Sequence, residues 1–141
     1  VSYATLDDLV ERAGAAEILQ IADRDNDDIA DPAVIAAAID TAGQTIDAYL
    51  AIRYLMPLST VPSIVLKWAV SIARYHLHRD GAPDHVVRDY KDALAELRDA
   101  AAGRLLLPDL AGITPQAGTA GGVQYAGSDP VFTDANLEGF L

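Results

Sequence analysis

An all-α fold is what this sequence predicts: a compact bundle of three long helices, one or two short N-terminal helices before them, and an extended C-terminal tail. Three observations predict it. Apolar positions Ile35, Ile39, Ala42, Ile46, Tyr49 and Arg53 (by its aliphatic stem) step by four, three, four, three and four, the spacing of one helix face. From Ser63 to about Arg79 nearly every residue is apolar, with Lys67, Ser71, Arg74 and His78 as one narrow polar stripe, the pattern of a central, buried helix. Residues that start and stop helices stand at the ends of these stretches.

Taken in order, Thr5 is an N-cap, followed by Asp7 and Asp8 in a first turn where acids suit the positive helix end. Leu6, Leu9 and Val10 give that short helix an apolar face to about Arg12, and Gly14 breaks it. A second short helix is expected over Ala15 to Ala22, and the acidic run 23–28 after it is a loop. Asp31 and Pro32 form an N-cap and first-turn pair for the long helix of the Ile35 seam. Pro57 bounds that helix, so 56–62 reads as an extended connector. Asp80, Gly81 and Pro83 make a turn after the buried helix. Val87, Tyr90, Leu94, Leu97 and Ala101 then mark the face of a last long helix, stopped by Gly103.

The composition changes after Arg104, the last basic residue. Residues 108–141 hold six of the ten glycines and three of the seven prolines, with no helical period. The chain therefore divides into a helical core, 1–107, and a tail, 108–141, that mediates assembly contacts. Ala117 to Gly122 has the composition of a flexible spacer. Tyr125, Val131, Phe132, Leu137, Phe140 and Leu141 are its expected anchors, since isolated large apolar groups gain most from pockets on a partner. Fixing such a tail in one conformation costs on the order of 1 kcal/mol per residue. The core has little spare apolar surface to offset that, so neighbouring subunits are the expected source.

One domain is what 141 residues hold, and 51% hydrophobic against 22% charged residues is a composition that folds. With no cysteine there is no disulfide framework or thiolate chemistry, which fits a cytosolic origin. No apolar run approaches the roughly 20 residues that span a bilayer, and the N-terminal residues do not resemble an export signal. The net charge of -11 argues against broad affinity for phosphate backbones. Charge is also uneven: residues 1–52 carry -9, residues 53–104 carry +2 and the remainder -4. Unlike surfaces on identical chains favour heterologous contacts of the kind that close into rings.

Catalytic and metal motifs are weak. Asp23, Asp25 and Asp27 match positions one, three and five of a calcium loop, but Asp28 stands where the sharp turn needs Gly and Val34 where a bidentate Glu belongs. His76 and His78 are two apart, whereas helical metal pairs use three or four. No nucleophile elbow, phosphate loop or dinucleotide fingerprint is present. The expectation is no enzyme, no catalytic or metal residue and no cofactor. Lys67 and Arg74 are candidates for charge contacts between subunits, with Asp25, Asp27 and Asp28 the candidate acidic side. The competing reading is a solvated stripe with local ion pairs worth under about 1 kcal/mol each. Tyr49, Tyr54, Trp68, Tyr75 and Tyr90 read as core rather than a stacking platform.

Several stretches together resemble a known family: residues 2–12, the Asp23-Arg24-Asp25 loop, Ile46 to Tyr54 with Pro57-Leu58, Ile72 to Leu77, and Tyr90 to Leu94. The chain resembles, over about residues 2–107 and more weakly at Val131-Phe132 and Leu137 to Phe140, the Mu-like phage and prophage small helical proteins related to head-tail adaptors. The resemblance implies a dodecameric ring seated beneath the portal of a virion, in the particle neck, made in the bacterial cytoplasm. Its partners would be copies of itself, the portal protein and a tail-side connector or stopper. DNA would pass without specific binding, and no membrane would be involved. Two other readings stay open: a small regulatory module whose tail folds on a target protein, and a metal-dependent enzyme, which would retain metal through purification and lose it on changing Asp25 or His76.

Overall fold

In the computed structural model the described residues are 2–107, and every regular element among them is a helix: α1 (Leu6–Ala13), α2 (Ala15–Ala22), α3 (Pro32–Leu50), α4 (Ser63–Leu77) and α5 (Asp84–Ala102). The tail assigned to 108–141, with all its expected anchors, lies outside the described residues.

Local chemistry explains the helix ends. Thr5 and Asp8 form a reciprocal capping box: the Asp8 amide donates to Thr5 Oγ1 at 3.3 Å and the Thr5 amide to Asp8 Oδ2 at 2.8 Å. Gly14, at φ 91°, separates α1 from α2. Pro32 opens α3, and Gly103 stops α5 in the left-handed conformation.

α4 is the central helix, packed on α3 and α5, with α1 against it and α2. Trp68, Val65, Ile72 and Leu77 are fully buried there, meeting a core to which α3 gives Ile46 and Leu50 and α5 gives Leu97. The α3 seam follows the expected positions from Ile35 through Ile46 and then departs, continuing at Leu50 and Tyr54 rather than at Tyr49 and Arg53. α3 ends at Leu50, so the helical step no longer sets which side chain turns inward at Arg53 and Tyr54. α4 ends at Leu77, two residues short of the expected limit, because His78 is extended. The buried face of α5 is Val86, Ala93, Leu97 and Ala100, one residue earlier than Val87 and Ala101; Tyr90 and Leu94 lie half-buried at its edge.

The aromatic residues divide. Tyr54 and Trp68 are core, whereas Tyr75 and Tyr90 are only partly buried. Their rings stack at 3.9 Å with planes 5° apart, and His76 stands edge-on to both. This stack joins α4 to α5 at the margin of the core.

Candidate assembly surfaces

The polar stripe of α4 is not uniformly solvated. Lys67 is exposed, but Ser71 is buried and Arg74 is only 9% exposed. A buried guanidinium needs hydrogen-bonded partners. Glu17 on α2 supplies them, accepting from Arg74 Nε and Nη2, both at 2.7 Å. The fork-to-fork geometry suits Arg and carboxylate, and Arg74 holds the Glu17 carboxyl below the ordinary glutamate range. His85 Nε2 lies 3.4 Å from Arg74 Nη2.

Lys67 is likewise paired within the chain, at 3.1 Å from Glu96 Oε1. The other oxygen of Glu96 accepts from the buried Trp68 indole N–H at 2.7 Å. One carboxylate on α5 thus serves a core indole and a surface ammonium. Both cations named as candidates for subunit contacts are engaged by Glu17 and Glu96, and neither lies against the acidic loop.

That loop is folded by its own carboxylates. Asp23 Oδ1 and Oδ2 accept from the amides of Asp27 at 3.2 Å and Asp28 at 2.9 Å, and Asp27 Oδ1 accepts from the Ile29 amide at 2.9 Å. Asp31 Oδ2 accepts from the Arg24 amide at 2.8 Å, while its own amide donates to Ala22 O. Asn26 and Asp28 take left-handed φ values of 60° and 64°, which Asn and Asp tolerate. Asp23, Asp25, Asp27 and Asp31 each bring one carboxylate oxygen within 4.8 Å of the others. The Asp25 carboxyl is pushed above the ordinary range, first by its hydrogen bond to Asp23 and then by burial and by Asp27. At Asp23 burial pushes upward, but the amides of Asp28 and Asp27 bring the carboxyl below that range. Asp25, Asp27 and Asp28 are exposed, so the loop presents an acidic surface at one end of the bundle.

Arg24 ties this loop to α4. Its Nη2 donates to the Leu77 carbonyl at 3.2 Å, at the negative end of the helix. An open groove of about 320 Å³ lies here, lined by both cations and carboxylates, among them Arg24, Arg79, Asp23 and Asp80. Its mixed charge favours no single ionic ligand.

The connector between α3 and α4 carries the feature that sequence reasoning missed. Ile52, Leu55 and Val61 are 57%, 56% and 46% exposed, whereas Tyr54, Leu58 and Pro62 beside them turn inward. The chain also returns to this place after α5. The Leu107 amide donates to Tyr54 Oη at 3.3 Å, and Gly103 lies against the Arg53 guanidinium. Leu106, 65% exposed, therefore stands beside the connector. A signal was present in the sequence: Ile52, Leu55 and Val61 lie off the Ile35 seam, in a segment that contains Pro57 and ends at Pro62.

No helix among the described residues is long and apolar enough to cross a membrane. A family model described as Bacteriophage Mu, Gp36 matches residues 3–125. The chain is 36% identical over 107 residues, 76% of each chain, to the Mu-like prophage FluMu protein gp36 of Haemophilus influenzae. It is 29% identical over 103 residues, 70% of this chain and 73% of the relative, to gene product J of Escherichia phage Mu.

Proposed function

This chain belongs to the Bacteriophage Mu Gp36 family, and from that premise we propose that it is a structural head-tail adaptor, a ring beneath the portal that joins the DNA-filled head to the tail. Copies of the helical core pack side by side, and residues 108–141 supply the assembly contacts through Tyr125, Val131, Phe132, Leu137, Phe140 and Leu141. The portal lies on one side of the ring and a tail-side connector or stopper on the other. Twelve copies is the expected number. The reading assigns no catalysis and no cofactor. Its site is the virion neck.

Membership in a family of phage and prophage proteins is the observation that carries this reading. The uneven charge supports it, because unlike surfaces on one chain suit heterologous contacts around a ring. The net charge of -11 suits a wall that DNA passes without being retained. The test is imaging of particle necks, with the full chain and with residues 108–141 deleted. The expected outcome is a ring of this chain between portal and tail, and heads without tails after the deletion. Tailed particles that contain none of this chain would refute the assignment.

A further inference from the structure

The connector surface and the residues beyond Leu107 are complementary in two independent respects. The first is apolar: Ile52, Leu55 and Val61 lie uncovered within ten residues of chain, with Leu106 beside them. Leu6 and Ile29, the other large exposed hydrophobics among the described residues, stand singly in their segments. Both phenylalanines of the chain, Phe132 and Phe140, fall in the last ten residues with Leu137 and Leu141, and none is in the helical core. The second is charge. In a chain of net charge -11, the connector residues 51–62 contain no carboxylate and one base, Arg53, whereas residues 108–141 contain four acids and no base.

Reach agrees with both. The chain leaves the described residues at Leu107, against Tyr54. Val131 is 24 residues further on, and a coil of that length spans on the order of 27 Å. A core of this size has a radius of gyration of about 13 Å, so the span reaches the face of a copy packed alongside.

We propose that residues 129–141 of one copy dock on the connector, residues 51–62, of the adjacent copy. Phe132 and Phe140 cover Ile52 and Leu55, and the acids of the segment face the connector and its Arg53. The inference rests on the adaptor reading, which supplies the adjacent copy, and it names the surface that receives the tail. Donor segment and acceptor surface differ, so each contact is heterologous and successive contacts run head to tail until the ring closes.

The absence of cysteine allows a direct test on the full chain. Chains carrying Leu55→Cys are mixed with chains carrying Phe140→Cys under mild oxidation, and Ala36→Cys, on the exposed face of α3, replaces Leu55→Cys as the control. The expected result is a linked Leu55/Phe140 pair that accumulates on the order of tenfold faster than the Ala36/Phe140 pair, because docking raises the effective concentration of the two thiols. Equal rates would overturn the proposal. So would a chain carrying both substitutions that closes on itself and yields no linked dimer, since docking would then lie within one copy. Either negative result with the chain still present in particle necks removes this surface and leaves the adaptor reading; necks without the chain remove that reading itself.

Discussion

Replacing Glu17 with alanine leaves the Arg74 guanidinium almost enclosed, with two donors facing no acceptor. The side chains of Arg74 and Glu17 are 11% and 23% exposed, which places the pair between a surface bridge, worth about 0–1 kcal/mol, and a buried one, where loss of one partner costs about 3–5 kcal/mol. His85 Nε2, 3.4 Å away, offers no negative charge in place of the carboxylate. A cost of about 2–3 kcal/mol follows for Glu17→Ala. For a domain near 100 residues about 2 kcal/mol lowers Tm by roughly 8–16 °C. Exchanging both partners for apolar residues of similar length, Glu17→Leu with Arg74→Met, removes the stranded charge and should cost no more than about 1 kcal/mol. The assay is urea unfolding of the wild type, each single variant and the double variant, followed by circular dichroism. The expected coupling exceeds about 1 kcal/mol. A coupling below about 0.5 kcal/mol, or an unchanged urea midpoint for Glu17→Ala, would refute the reasoning and return Arg74 to the role of a charge held for a neighbour.

Other outcomes follow from the same contacts. Because Arg74 holds the Glu17 carboxyl below its ordinary value near 4.5, the bridge stabilises the fold above that value and is lost as the pH falls through the folded-state pKa. The gap in urea midpoint between wild type and Glu17→Gln should therefore narrow as the pH is lowered from about 6 to about 3; a constant gap would contradict it. Glu96→Ala removes the acceptor of the buried Trp68 indole and should cost about 2–3 kcal/mol, whereas Glu96→Gln keeps an acceptor and should cost less than about 1 kcal/mol; tryptophan fluorescence during denaturation measures both. Gly103→Ala places a Cβ 2.7 Å from Arg53 Cζ at a φ of +83° and should lower stability by about 1–2 kcal/mol; an unchanged midpoint in thermal unfolding would contradict this.

The candidate surfaces were legible to different degrees. The acidic loop was visible as a run of carboxylates, and its self-satisfied geometry follows from Asp and Asn side chains that bond nearby amides. Lys67 and Arg74 were visible as charges, but their partners were not. Glu17 lies 57 residues from Arg74, and Glu96 lies 29 from Lys67. No spacing along one helix encodes such a pair.

Sequence by itself determined the helix ends that carry a cap, a proline or a glycine, whereas α3 and α4 stop at Leu50 and Leu77, short of where their patterns ran. The Thr5 and Asp8 cap, Pro32 at the start of α3, and the glycines at 14 and 103 act within a few residues of themselves, so their effect travels with the local chain. The limits of α2 were read directly for the same reason. Asp31 holds the N-cap position of α3, but its carboxylate accepts from the Arg24 amide instead of capping the helix. Tertiary structure decided which side of each helix faces inward. α5 offers two apolar stripes one residue apart, and packing on α4 selects the one through Val86, Ala93 and Ala100. It also buried Ser71 and Arg74 in what reads as a polar stripe, and left Ile52 and Leu55 in the open. Capping satisfies hydrogen bonds between neighbours in sequence, whereas burial depends on how helices cross, a property of surfaces that meet only after the chain has folded.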